Sequence, residues 1–101
     1  MSYQNNRGAF YAATIAALQS ATDTAKAQAK GRQWGAPSGL ADQAERFERN
    51  GDLPMAAAYY RLAAANSAGN SRADMYEGAA DRLECKVDAN VRVAVIACQR
   101  Q

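Results

Sequence analysis

The chain has 101 residues, enough for one hydrophobic core and too few for two, so residues 1–101 are expected to form a single helical domain. Hydrophobic residues make up 49% of it, but alanine supplies much of that share, which predicts closely packed helices around a thin core. Twelve basic against ten acidic residues leave a net charge of +2, too balanced to name a partner, and the chain has no histidine. The lack of imidazole removes the commonest general base and metal ligand.

The charge is unevenly placed. Residues 1–39 carry Arg7, Lys26, Lys30 and Arg32 against Asp23 alone, whereas residues 74–88 carry five acids against Arg82 and Lys86. No basic start leads into a long apolar run, and no stretch reaches the roughly 18 apolar residues of a membrane span. A cytoplasmic protein without a membrane contact is the expectation.

The first helix is predicted from Gly8 to Lys30, capped by Asn5 or Asn6 and ended by Gly31. Tyr11, Ile15, Leu18, Ala25 and Ala29, with Thr22 between, form its inward face. Phe10, Ala13, Ala17 and Ala21 form a second stripe beside it. Residues Gly31 to Gly39, GRQWGAPSG, read as a loop with Trp34 in its middle. A second helix follows from Leu40 to Arg49, capped by Ser38, with Leu40, Ala44 and Phe47 inward. Its outer face carries the pairs Asp42 to Arg46 and Glu45 to Arg49.

Asn50 and Gly51 stop that helix, and Asp52 with Pro54 starts the third, expected from Leu53 to Ser67. Met55, Tyr59 and Leu62 line one row of it, and Ala56, Tyr60 and Ala63 the next. Because neighbouring residues diverge by about 100° around a helix, one of the two tyrosines is expected at the surface or at a second interface. Ala68, Gly69 and Asn70 break the chain, and Ser71 with Asp74 reads as a capping box for the fourth helix. Its stripe is Tyr76, Ala80, Leu83, Val87, Val91, Ala94 and Cys98. The run Val91 to Ile96, VRVAVI, has local strand character but no partner strand, so the helix is expected to continue through it. Val93 and Ile96 fall off the stripe and need cover from helix one or from another copy. The fold expected is all-α: a compact antiparallel bundle of four helices, within a range of three to five, with a helical hairpin at 40–67.

Residues 41–67, ADQAERFERNGDLPMAAAYYRLAAANS, resemble a tetratricopeptide-type helical hairpin. The match covers about a quarter of the chain, lacks that family's tryptophan and leucine-glycine pair, and has no second copy near 34 residues away. Microtubule-interacting and transport type three-helix domains look similar. The resemblance implies a hairpin of the kind used in protein-binding scaffolds; ordinary antiparallel helices joined by a glycine turn give the same letters.

No catalytic residues, cofactor site or metal site can be assigned. On one helix Cys85 and Cys98 lie about 20 Å apart, beyond disulfide reach, and are expected to be reduced core fillers. Two thiols without imidazole do not make a zinc site, and no phosphate-binding loop, dinucleotide fingerprint or nucleophile elbow is present. Two features remain as partner-binding candidates. Asp74, Glu77, Asp81, Glu84 and Asp88 share one face of helix four. Either basic side chains from helix one or from neighbouring rows of helix four neutralise them, or they form a strip that docks on a basic surface. Lys26, Lys30, Arg32 and Trp34 form a basic cluster beside an aromatic, suited to phosphate and base contact, with Trp34 either a lid over the core or a binding anchor.

These features suggest a stoichiometric protein-binding module that inhibits or adapts a larger host complex. In size and in its lack of family motifs the chain resembles small anti-defence inhibitors of phages and mobile elements, anti-CRISPR proteins among them. A nucleic-acid-binding or architectural protein using the Lys26 to Trp34 cluster is the second reading. A homo-oligomer built on Val93 and Ile96 is the third.

Overall fold

The computed structural model describes residues 9–32, 37–67 and 71–99, without the side chains of residues 30–32, 37, 38 and 99. Four helices account for nearly all of them: α1 Ala12–Arg32, α2 Pro37–Arg49, α3 Leu53–Asn66 and α4 Ser71–Gln99. The all-α expectation holds, with four helices among the described residues. Two glycines expected in a loop are helical instead. Gly31 lies in the last turn of α1 and Gly39 in the first turn of α2, where Pro37 takes the opening position that its fixed φ suits. The caps proposed at Asn5 and Asn6, and the break at Ala68 to Asn70, lie outside what is described, whereas Ser38, expected to cap the second helix, lies inside α2 one residue after Pro37.

The turn between α2 and α3 follows directly from its sequence. Gly51, at φ +84°, adopts the left-handed conformation that ends many helices. Its N–H donates to the Glu48 carbonyl at 3.1 Å, while the Asp52 N–H reaches back to the Phe47 carbonyl at 2.9 Å. Together these bonds form a Schellman closure. Asp52 then caps α3, its carboxylate accepting from the Met55 N–H at 3.4 Å with Pro54 in the first turn. One residue thus closes one helix and opens the next.

Helix α3 is the hub, packing against each of the other three. Its residues Met55 to Tyr60, Ala63 and Ala64 are all buried. Five of these eight are alanines, so neighbouring helices can approach on several sides, and of the two outcomes expected for the adjacent tyrosines, the surface or a second interface, the structure shows the second. Tyr59 stacks on Phe47 of α2 at 5.3 Å between ring centroids and donates its hydroxyl to Gln28 of α1 at 2.7 Å. Tyr60 meets Tyr76 of α4 at 6.4 Å. Burial, with Glu48 and Glu45 nearby, pushes the Tyr60 phenol above its ordinary pKa against the opposing charge of Arg82.

Helix α1 buries Thr14, Leu18, Ala21 and Ala25, a row at steps of four, three and four. The expected inward face lies one position round from this row at its start: Ile15 is exposed, and Thr14 takes the interior place because its hydroxyl finds a partner there. On α2, Leu40, Ala41 and Ala44 are buried and Phe47 is partly so. Its Glu45–Arg49 pair spans 3.6 Å between two exposed side chains, worth a few tenths of a kcal/mol. Helix α4 runs unbroken for 29 residues, about 43 Å at 1.5 Å per residue, and so accounts for most of the molecule's 46 Å long axis. Its stripe holds from Tyr76 through Val87, is half-buried at Val91, and then leaves the core. Ala94 and Cys98 are in solvent, and Cys85 is also exposed. Both cysteines are free thiols, but neither is the core filler expected, because Leu83, Glu84, Val87 and Asp88 occupy the inward rows around Cys85.

Candidate functional site

Helix α4 sorts its charges by side. At about 100° per residue, the row Asp74, Glu77, Asp81, Glu84 and Asp88 is turned roughly 120° from the row Met75, Arg82, Lys86, Ala89, Val93 and Ile96. The first row turns progressively into the molecule. Asp74 is exposed and Glu77 half-buried, while the Glu84 and Asp88 side chains are 3% and 9% exposed. The six named residues of the second row are exposed, although Gly78 and Ala79, between Met75 and Arg82, are half-buried and buried.

Arg61 meets the middle of the acidic row. It is the only charged residue of α3 and projects into the α3–α4 contact, its side chain 15% exposed. One guanidinium nitrogen lies 2.7 Å from Asp81 and 3.0 Å from Glu84, while Nε donates to the other Glu84 oxygen at 3.1 Å. A planar fork suits this arrangement better than an ammonium, since it can address two carboxylates in fixed directions.

Asp88 is held differently. One oxygen accepts from the Thr14 hydroxyl at 2.8 Å and from the Tyr11 backbone N–H at 3.0 Å, while Nε of Arg92 donates to the other. The carboxylate therefore sits at the amino end of α1, where unpaired N–H groups and the helix dipole favour negative charge. Arg92 extends over the Tyr11 ring, 4.5 Å from its centroid, and donates to the Ala9 carbonyl. Burial pushes the Asp88 carboxyl up, but the hydrogen bonds from Arg92, Tyr11 and Thr14 and the Arg92 charge outweigh it. The group lies below its ordinary pKa.

Three of the five candidate carboxylates are thus engaged inside the molecule. The neutralising cations are Arg61 of α3 and Arg92 of α4, whereas helix one contributes a hydroxyl and a backbone N–H but no base. A strip of all five facing an outside partner is not what the fold presents: Asp74 alone is fully exposed. Of the basic cluster, Lys26 is exposed on α1. The Lys30 and Arg32 side chains and all of Trp34 lie outside the described residues, and so does the cluster they were expected to form.

The outer row of α4 is the feature that sequence reasoning caught only at its end. Val93 and Ile96 are 68% and 46% exposed, and Met75 is 61% exposed at the other end. Helix one does not cover them, since its hydrogen bonds to α4 converge on Asp88 and Arg92. Between the apolar ends stand Arg82 and Lys86, neither in an ion pair among the described residues. Lys86, Arg82 and Cys85 also edge a shallow groove of about 450 Å³ that includes Glu48 of α2. The spacing of four, three and four from Arg82 to Val93 was readable in the sequence, but nothing local marked it as the row left uncovered. No helix of the described residues is long and apolar enough to cross a membrane.

Comparison with known proteins adds no family: no family model matches the chain, and no curated protein or solved structure matches it.

Proposed function

We propose that this chain is a non-catalytic, stoichiometric protein-binding module that inhibits or adapts a larger complex, with the outer row of α4 as its contact surface. The observation that carries the reading is the continuation of α4 past its last core turn, which holds Val93 and Ile96 in solvent. Covering a branched aliphatic side chain fully is worth about 1.5–3 kcal/mol. Two such residues one turn apart on a continuous helix make an anchor for a partner. Such a module works by occupying its target's surface and needs no cofactor, and the reading places its target, a host complex, in the cytoplasm. Its small size and freedom from enzyme motifs support the narrower reading as an anti-defence inhibitor of a phage or mobile element.

The test is affinity purification from the cells in which the protein acts, comparing the wild type with the pair Val93→Asp and Ile96→Asp. One protein recovered in stoichiometric amount with the wild type and lost with the variant supports the reading. Retention of nucleic acid alone, released steeply by salt, sinks it in favour of a nucleic-acid-binding protein. A stable homodimer in sedimentation that the same variant dissociates sinks it in favour of self-assembly.

A further inference from the structure

Resting on that docking reading, we propose that the outer row of α4 receives an acidic amphipathic helix of the partner protein, with apolar residues at its ends and carboxylates toward its middle. The fold separates the charges of α4. Its interior-facing carboxylates are engaged by Arg61, Arg92 and the amino end of α1. The cations on the opposite side, Arg82 and Lys86, are exposed and outside any ion pair among the described residues. The chain as a whole is nearly balanced, yet this row shows only positive charge.

Geometry fixes the shape of the occupant. From Met75 to Ile96 the row is about 30 Å long at 1.5 Å per residue. Met75 lies about 10 Å before Arg82, and Val93 about 10 Å beyond Lys86. From Arg82 to Ile96 the steps of four and three form a straight seam, which a second helix matches with its own repeat, and the seven-residue step back to Met75 passes over half-buried Gly78 and buried Ala79. A helix laid along it meets an apolar end, a basic middle and an apolar end. The complementary face therefore carries apolar residues at its two ends and Asp or Glu between them.

A second copy of this chain fits poorly. Two outer rows in parallel place Arg82 against Arg82 and Lys86 against Lys86. Fully overlapped antiparallel rows bring Lys86 against Lys86 at the centre, and like charges in contact oppose the pairing. A phosphate backbone fits poorly too. It spreads charge along its whole length, whereas this row offers two cations within about 6 Å of helix rise and leaves three large apolar side chains uncovered.

The experiment presents the full chain to a display library of random helix-forming peptides of about 20 residues and sequences the enriched binders. The expected consensus has Leu or Ile near both ends, Glu or Asp in the middle and net negative charge. The double charge reversal Arg82→Glu with Lys86→Glu is expected to weaken those binders about tenfold or more and to select lysine-bearing helices instead. Circular dichroism confirms that the variant stays folded, as both positions are exposed. Enriched helices that need Val93 and Ile96 but are neutral or basic overturn the acidic partner and leave the docking reading standing. No helix whose binding depends on Val93 and Ile96 overturns both. A 20-base-pair DNA duplex that binds through Arg82 and Lys86, indifferent to Val93→Asp, overturns the proposal in favour of a nucleic-acid surface.

Discussion

Asp88 joins two helices through hydrogen bonds to both of its carboxylate oxygens. Its carboxyl is held below the ordinary carboxylate pKa, so the folded state binds this proton less tightly than the unfolded chain. Its contribution is therefore fully present above the unfolded value near 3.9 and is lost as pH falls through the lower folded value. Asp88→Ala removes the acceptor for Thr14 and Tyr11 and should cost about 1–3 kcal/mol in urea unfolding near neutral pH. The same variant should lose less stability than the wild type as pH falls below 4. Arg61 presents the complementary case. With Glu84 buried, Arg61→Ala leaves a carboxylate without its charge partner and should cost about 3 kcal/mol or more. Replacing both, Arg61→Met with Glu84→Met, should recover much of that loss, and a double-mutant cycle by chemical denaturation measures the coupling. The five-carboxylate period was legible in the sequence, but the partner of each was not. A clue was present in Arg61, the one charge in an otherwise apolar helix, because an isolated cation there must meet an anion from elsewhere in the fold.

At the scale of the element, the α2–α3 turn was the most readable part of the chain. Asn50, Gly51, Asp52 and Pro54 each occupy the position their backbone chemistry favours, and the start of α3 at Leu53 follows from them. Gly51→Ala meets no atom within 4 Å, so its effect is conformational only. At φ +84° it should cost about 1–2 kcal/mol in thermal or urea unfolding, and Gly51→Asn should cost less. Gly78 gives the opposite sign. It lies inside α4 with nothing within 4 Å of an added Cβ, so Gly78→Ala should stabilise by about 0.5–1 kcal/mol in the same assay. The end of α1 and the start of α2 were less readable, because glycine is tolerated in terminal turns and does not by itself mark a helix boundary. That the adjacent tyrosines meet different neighbours was legible, but which neighbours they meet was not, for a different reason. A helix with alanine on most sides accepts neighbours all round, and sequence periodicity finds one face when there are three.

Across the whole molecule, stability should be graded outward from α3. Its backbone is enclosed by three helices, and its large side chains bridge to each of them through Phe47, Gln28 and Tyr76. The amino half of α1 meets α4 through the Asp88 cluster, and α4 beyond Val91 has little beneath it. Native-state hydrogen exchange should therefore rank the amides of α3 slowest, opening only with global unfolding, with the amino half of α1 intermediate and the last turns of α4 fastest. Asp88→Ala discriminates between local and global control of that ranking. If the Asp88 cluster is what holds the start of α1, the variant should speed exchange from Thr14 to Leu18 by more than the fall in global stability explains. The amides of Tyr59 to Ala63 should slow or quicken only in step with that global fall. Uniform acceleration of both helices would mean that α1 and α3 open as one unit, and the idea of a central helix with separately latched neighbours would have to be given up. The graded outcome fits a module that binds through α4, since a rigid interior can present Val93 and Ile96 while the turns around them adjust to a partner.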